Sequence, residues 1–186
     1  MNNSGKFPEQ ETKRLILQEM TLQDLEFYYR HFNVAEIIEG CCFPGPKDLE
    51  TARKELELYC INPFKEGRGI RWGIALKAGG KLIGTCGLYD WKKTLRSAEI
   101  GYDLDPAYWG RGIMTEALRA VLSYGFEVMD LNRIQAIVDS ENGRSMRLVR
   151  NLGFKKEGIL RKGSYFNGQF RNDVIFSLLK EELRKT

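Results

Sequence analysis

The 186-residue chain has few of the residues that metal and redox sites require. It has one histidine, His31, and four cysteines, none of which show the CxxC spacing of a metal knuckle or a redox pair. Cys41 and Cys42 are adjacent, while Cys60 and Cys86 stand alone, so we expect reduced, partly buried thiols. We expect a surface or helix-capping role for His31, no metal site, and no catalytic triad built on histidine.

Charge and hydrophobicity exclude further classes of protein. The 29 basic and 25 acidic residues give a formal net charge of +4 and are spread along the chain, without a basic arm for nucleic acid. There is no run of 18 apolar residues that could span a membrane, and residues 1–10 lack an apolar signal segment. We therefore expect a cytoplasmic protein without nucleic-acid or membrane partners. The 42% hydrophobic content predicts a single domain over residues 1–186, with residues 1–10 flexible.

Alternating and helical patterns predict a mixed α/β domain. The order along the chain is strand, two helices, three strands, helix, strand, helix and two strands. The expected strands cover 14–17, 70–76, 82–88, 98–104 and 133–138, followed by a pair after Phe154 that turns at Asn167-Gly168. One expected helix begins near Leu25, and the others cover 47–60, 112–128 and 142–151.

The most informative segment joins a strand to an amphipathic helix through two glycines. In Trp109-Gly110-Arg111-Gly112, followed by Ile113, Met114 and Thr115, the glycines let the backbone approach a ligand closely. Free N–H groups at the positive end of the helix dipole would then face an anion. The segment is neither a dinucleotide fingerprint nor a P-loop, so it predicts a phosphate site of another kind, with an ordinary glycine-rich turn as the alternative.

Three polar side chains near this segment are candidates for binding or catalysis. Glu99 lies on an alternating strand and is either a solvated residue or a general base that takes a proton from an amine through water. Asn142 is either a helix N-cap or a donor to a ligand. Ser145 is either a small polar residue in the first helical turn or a proton donor to a leaving thiolate.

Together these segments resemble the GNAT superfamily of acyl-CoA-dependent N-acetyltransferases, whose pyrophosphate loop has the form Gln/Arg-x-x-Gly-x-Gly/Ala. The resemblance covers residues 14–179. Residues 13–17, 108–117, 142–145 and 152–158 resemble the ribosomal-protein-alanine N-acetyltransferases, and residues 124–126 and 167–172 are similar to the spermidine N-acetyltransferases. Trp109 departs from the usual Gln or Arg. Met114 departs from the usual Gly or Ala and would either narrow the loop or point away from it.

The resemblance implies a mixed, mostly antiparallel, splayed sheet flanked by about four helices. It implies acetyl-CoA as co-substrate, without a metal. The pantetheine arm would lie between the Glu99 and Ile134 strands and pair with backbone near Leu104, and the pyrophosphate would rest on the amides of residues 110–115, with Asn142 as a further ligand contact.

The resemblance also implies direct acetyl transfer to a primary amine, with Glu99 as base through water and Ser145 protonating the thiolate. In spermidine enzymes a Tyr seven residues after the Asn is the expected acid, and Val149 stands there in this chain. This difference favours a protein N-terminal α-amine, including that of a ribosomal protein. Polyamine or aminoglycoside-like acceptors, a non-catalytic acyl-CoA sensor, and either a monomer or a homodimer remain open.

Overall fold

Eight strands form one sheet in the computed structural model, which describes residues 5–183. The sheet order is β1-β2-β3-β4-β5-β6-β8-β7, and every neighbouring pair is antiparallel except β5 and β6, which are parallel. The predicted class, a mixed and mostly antiparallel sheet, is confirmed. The strands are β1 (Gln10–Glu11), β2 (Leu15–Glu19), β3 (Ile70–Leu76), β4 (Leu82–Lys92), β5 (Ser97–Leu104), β6 (Arg133–Asp139), β7 (Lys155–Phe166) and β8 (Gln169–Leu179).

Residues 5–183 contain six α-helices, which is more than the expected number of about four. The helix predicted over 47–60 ends early, at Leu56, because a π-helical turn, Glu57–Ile61, follows it. A further short helix, Ala35–Cys41, precedes the predicted helix in the chain. That helix has no side-chain cap at Val34, so the sequence contains little local signal for its start. The α-helices of residues 5–183 are α1 (Leu25–Phe32), α2 (Ala35–Cys41), α3 (Leu49–Leu56), α4 (Asn62–Lys65), α5 (Ile113–Glu127) and α6 (Gly143–Asn151).

Two apolar clusters hold these elements on the sheet. Trp72 and Ile74 of β3 are fully buried in the main cluster, into which α5 packs its apolar face. Gly73 lies between them and faces Met20 of the second cluster, because successive strand residues point to opposite faces. The second cluster joins Met20, the residue after β2, to α1 and α3. Full burial of each large apolar side chain contributes about 1.5–3 kcal/mol, so both faces of the sheet contribute to stability.

The sheet splays between β5 and β6. The two strands pair over only three positions, ending at Glu99 opposite Gln135. Beyond that point β5 stays paired with β4 as far as Leu104, while β6 stays paired with β8 as far as Asp139. Each strand therefore follows its outer neighbour, and a gap opens between residues 100–104 and 136–139. The expected splay lies at this point.

Part of the segment expected to be flexible packs against the core. Phe7 is buried, with its ring centroid 5.0 Å from Phe64 and 6.1 Å from Trp72. The Trp72 indole N–H donates to the Pro8 carbonyl at 2.8 Å. A single aromatic residue in a polar stretch produces no periodic pattern, which is why the sequence did not indicate this contact. Residues 1–4 lie outside the described part of the chain.

The expectation for His31 was wrong, because this residue lies in a buried charged network. His31 is only 5% exposed, and its Nε2 lies 2.6 Å from Oδ1 of Asp103 on β5. Arg71 Nη2 donates to the other carboxylate oxygen at 2.6 Å, as does the Thr85 hydroxyl. Burial opposes ionisation of Asp103, but the hydrogen bonds from His31 and Thr85 and the charge of Arg71 outweigh it and lower its pKa to about 2.

We predict that this network stabilises the fold fully above about pH 4 and progressively less as the pH falls towards ~2. The pKa of Asp103 is lower in the folded chain than in the unfolded chain, where it is about 4. Its contribution is therefore complete above pH ~4 and is lost as pH falls towards ~2. Asp103→Asn should lower the free energy of unfolding by about 3–5 kcal/mol at pH 7, and by progressively less at pH 3.5 and 2.5, in urea titrations. A difference that stays constant with pH would contradict this assignment.

Candidate functional site

A cavity of about 1460 Å³ opens where β5 and β6 separate. Residues 100–104 of β5 form one wall and residues 136–139 of β6 form the other. The glycine segment before α5 and the first turns of α6 line one part of the cavity, while α1, α2 and the π-helical turn line another. The splay of the sheet therefore produces a site between two strand edges.

The glycine segment has a backbone conformation that requires glycine. Gly110 and Gly112 have φ values of +72° and +69°, in the left-handed region that other residues avoid. A Cβ atom added at Gly110 would meet no atom within 4 Å, so the space in front of this backbone is open. The predicted close approach of a ligand to the main chain is therefore sterically possible here.

The N-terminus of α5 presents amides without helical partners. Gly112 provides no side-chain cap, and the first bond of the helical ladder runs from the Glu116 N–H to the Gly112 carbonyl at 3.1 Å. The N–H groups of Ile113, Met114 and Thr115 precede that bond and lie at the positive end of the dipole. Met114 is buried and belongs to the main core, and it also lines the cavity.

Two residues near the N-terminus hold the loop from outside the cavity. Glu116 accepts hydrogen bonds from the Thr12 hydroxyl at 2.6 Å and from the Arg14 side chain at 2.7 Å. Arg14 also donates to the Arg111 carbonyl at 2.9 Å. The Arg111 side chain does not line the cavity and lies over the Tyr108 ring. The loop conformation is thus fixed before any ligand binds.

Trp109 links the loop to β5 and α6. Its indole N–H donates to the Leu104 carbonyl at 2.7 Å, so a ligand that pairs with this carbonyl would share the acceptor. The guanidinium of Arg144 stacks on the indole, 3.6 Å from the ring centroid. Arg144 itself lines the cavity beside the glycine loop. Only the folded chain brings this cation to the loop.

The start of α6 places Ser145 opposite β5. Asn142 occupies the N-cap, with Oδ1 accepting from the Ser145 N–H at 3.0 Å and Nδ2 donating to the Gly40 carbonyl at 3.1 Å. The Ser145 hydroxyl lies 2.7 Å from the Tyr102 hydroxyl across the gap. Burial raises the pKa of Tyr102 to about 12, although the hydrogen bond with Ser145 opposes the rise. Sequence reasoning missed Tyr102, whose only signal was a hydroxyl on an apolar strand face.

Glu99 lies next to the cavity but behind another side chain. Glu99 is half-buried at the last position of β5 that pairs with β6. It does not line the cavity, whereas Tyr89 on β4 does. Burial raises the pKa of Glu99, with a hydrogen bond from Tyr89 acting in the opposite direction. Sequence reasoning did not identify Tyr89. A proton that reaches Glu99 from the cavity must pass the Tyr89 hydroxyl or a water.

Most of the predicted site residues line this one cavity, with Glu99 and Arg111 as the exceptions. Among residues 5–183, no His, Cys, Asp and Glu side chains form a group of three or more that could hold a metal ion. Within that range no helix combines the length and hydrophobicity needed to cross a membrane. The predicted residues that do line the cavity are Leu104, Gly110, Gly112, Ile113, Met114, Thr115, Asn142 and Ser145.

Comparison with known proteins identifies relatives along most of the chain. An uncharacterized N-acetyltransferase of Bacillus subtilis, YoaA, is 37% identical over 94% of this chain and 98% of its own length. A putative ribosomal N-acetyltransferase of the same organism, YdaF, is 33% identical over 74% of each chain. The spermidine N(1)-acetyltransferase of Escherichia coli is 32% identical over 89% of this chain and 86% of its own length.

The fold agrees with these sequence relationships. The crystal structure of a spermidine N-acetyltransferase from Vibrio cholerae, in complex with CoA and spermine, superposes with a TM-score of 0.82 over 92% of this chain and 98% of that chain. At 21% identity this match concerns the fold alone. Residues 14–155 match the family described as the acetyltransferase (GNAT) domain. The chain therefore belongs to the GNAT family and is an acetyl-CoA-dependent N-acetyltransferase.

Proposed function

We propose that this enzyme transfers the acetyl group of acetyl-CoA directly to a protein N-terminal α-amine. The observation that carries the proposal is an uncapped, preformed anion loop at residues 110–115 in the same cavity as the Tyr102–Ser145 pair. The loop would hold the diphosphate and so bring the thioester to the gap between β5 and β6. Holding the amine beside that thioester supplies much of the rate without a covalent enzyme intermediate.

The loop has the charge and the space that a diphosphate needs. Three helix amides point out at the positive end of α5, and open space lies in front of Gly110. Arg144, stacked on Trp109, adds a full positive charge beside them. Trp109 stands where the family usually has Gln or Arg, and the Arg144 guanidinium supplies a cation at this place from α6.

We predict that Arg144→Ala raises the Kd for acetyl-CoA about tenfold, because it removes a cation worth about 1.4 kcal/mol of binding. The kcat at saturating acetyl-CoA should change little, since Arg144 does not touch the reacting atoms. Calorimetric titration with CoA measures the first quantity and steady-state kinetics the second. The matched control is Arg161→Ala, an exposed arginine on β7. An Arg144→Ala variant that binds CoA as tightly as this control would contradict the role.

The Tyr102–Ser145 pair can present a proton to the departing sulfur. Burial keeps Tyr102 protonated, and either hydroxyl can donate in this pair. When Tyr102 donates to the Ser145 oxygen, the Ser145 proton is free to point into the cavity. Neither residue gives up its proton, because a serine hydroxyl is a weaker acid than a phenol; Ser145 donates a hydrogen bond only. Moving a proton from a phenol of pKa about 12 to a thiolate of pKa ~8.5 would cost about 5 kcal/mol. Tyr102 thus orients Ser145, and Ser145 stabilises the thiolate.

We predict that Ser145→Ala lowers kcat up to about a hundredfold while the Kd for acetyl-CoA stays within about twofold. The expected loss lies at the low end for general acids, because a thiol of pKa ~8.5 needs little help to leave. Tyr102→Phe keeps the ring and removes only the hydroxyl, so it should lower kcat in the same direction by a smaller factor. Unchanged turnover in Ser145→Ala would remove this residue from the mechanism.

We predict that Glu99→Gln affects basic amines more than α-amines. At pH 7 an α-amine of pKa ~8 is already about 10% neutral, whereas a lysine amine of pKa ~10.4 is neutral in only about 0.04% of molecules. A base is therefore needed mainly for the second kind. The measurement is kcat/KM for a peptide with a free N-terminus and for one whose only amine is a lysine side chain. Equal relative losses with both peptides would exclude Glu99 as the base.

A protein N-terminus is favoured over a polyamine by the residue at the usual acid position. Among the relatives, one is named as a putative ribosomal acetyltransferase and another as a spermidine acetyltransferase, so homology alone supports both acceptors. Val149 is fully buried in the core at that position and has no proton to donate.

The general test is CoA release from acetyl-CoA with a panel of amines. Tight CoA binding without release from any amine would instead favour a non-catalytic acyl-CoA sensor.

A further inference from the structure

One wall of the cavity is apolar and aromatic. We call it the acceptor wall, and it is formed by side chains from α1, α2, the loop after α2, the π-helical turn and β4. Three of these side chains leave large apolar surface exposed: Leu58 is 49% exposed, Tyr59 47% and Tyr89 42%. Exposed apolar groups that cluster in a cavity mark a binding surface. The residues of the acceptor wall are Phe32, Ile37, Phe43, Leu58, Tyr59 and Tyr89.

The acceptor wall lies away from the anion loop. Tyr89 pairs with Glu99 in the register of β4 and β5, whereas the loop follows Leu104. Five residues of extended strand separate these two positions, a distance of about 16 Å. The Phe43 and Tyr59 rings pack edge to face at 5.8 Å, which gives the wall a defined shape. The cavity therefore has a phosphate end and a separate apolar region for the amine.

Few carboxylates in the cavity are available to an incoming cation. The Asp103 carboxylate pairs with Arg71, and that of Asp139 with Arg171. Asp90 pairs with Lys92 at 2.9 Å, and Asp173 accepts from the Ser164 hydroxyl at 2.9 Å. Within the described chain this leaves two cavity carboxylates without a salt bridge, those of Glu36 and Asp173, and Glu36 has no hydrogen bond either. The carboxylates that line the cavity are those of Glu36, Asp90, Asp103, Asp139 and Asp173.

This charge distribution is unfavourable for a polyamine. Spermidine carries three ammonium groups at neutral pH, and two remain charged when one loses its proton to react. Burying ammonium groups without paired carboxylates costs several kcal/mol for each. The cavity lining also includes Lys93, whose positive charge repels a polycation. A neutral α-amine brings no such charge, and an apolar neighbouring group gains about 0.8 kcal/mol for each methylene buried.

We infer that the acceptor is a primary monoamine with an apolar group next to the nitrogen, such as a peptide whose first residue has an aromatic or branched aliphatic side chain. The inference rests on the proposed function, because it assigns the acceptor of the same acetyl transfer. It assigns the acceptor wall as the surface that contacts this first side chain. We expect polyamines to be poor acceptors, because their remaining ammonium groups would be buried without enough carboxylates to pair with.

The test uses peptides that differ only in the first residue, which is Phe, Lys or Asp, together with spermidine. At saturating acetyl-CoA, kcat/KM should be at least about tenfold higher for the Phe peptide than for the Lys or Asp peptide. The kcat/KM for the Phe peptide should be at least about a hundredfold higher than that for spermidine. A preference for spermidine, or equal values for the three peptides, would overturn the inference while leaving acetyl transfer intact. No release of CoA with any amine would overturn the proposed function and the inference together.

Variants of Tyr59 connect the preference to the acceptor wall. Tyr59→Ala removes the exposed ring and should reduce the Phe-to-Asp ratio of kcat/KM at least about fivefold, with the Kd for acetyl-CoA unchanged. Tyr59→Phe keeps the ring and should keep the ratio. Val128→Ala removes an apolar side chain that is 65% exposed outside the cavity, and it should behave as the wild type. An unchanged ratio in a folded Tyr59→Ala variant would contradict the assignment of this wall.

Discussion

The early separation of β5 from β6 is the constraint on which the functional architecture depends. The two strands share only three paired positions, while each remains paired with its outer neighbour along its length. Strand edges that part inside a sheet leave backbone groups that need partners. A ligand with amide groups in an extended chain can supply those partners, and pantetheine is such a chain. The same gap lets Ser145 of α6 reach Tyr102 of β5. The groove that we propose for the cofactor and the proposed catalytic pair thus have one structural cause.

The anion loop is held in place by a part of the chain distant in sequence. Glu116 sits in the first turn of α5, where a carboxylate also suits the helix dipole, and it receives hydrogen bonds from Thr12 and Arg14. Arg14 then holds the Arg111 carbonyl between the two glycines. Glycines alone would leave this loop flexible, since they adopt many conformations. The contacts from the N-terminal segment remove that freedom, so less entropy is lost when a diphosphate binds.

Local signals made the fold and the loop predictable, whereas long-range pairing was invisible in the sequence. The glycine spacing, the strand alternation and the helical periodicity of α5 each act within about ten residues. The predicted strand and helix are confirmed, while the phosphate site at the glycines stays a prediction. Tyr102 with Ser145, Arg144 with Trp109, and the burial of His31 depend on contacts between residues far apart in sequence. Such contacts follow from the sheet register. A single sequence contains the residues of these pairs without indicating that they meet.

The buried network around Asp103 explains why a cavity with so many ionisable groups can still present an apolar wall. Arg71 lines the cavity, but its guanidinium donates to Thr85 and to the Asp103 carboxylate. The charge of Arg71 is therefore balanced within the protein and does not need a counter-ion from the substrate.

Glu99 does not line the cavity, whereas Tyr89, which donates a hydrogen bond to Glu99, does. A base in that position takes up a proton slowly unless a water or the tyrosine hydroxyl relays it. This arrangement suits an amine of which about 10% is already neutral at pH 7. A peptide α-amine has this property, and a lysine or a polyamine does not. The position of Glu99 and the apolar acceptor wall are independent features of the site, and both favour the peptide α-amine that we propose as acceptor.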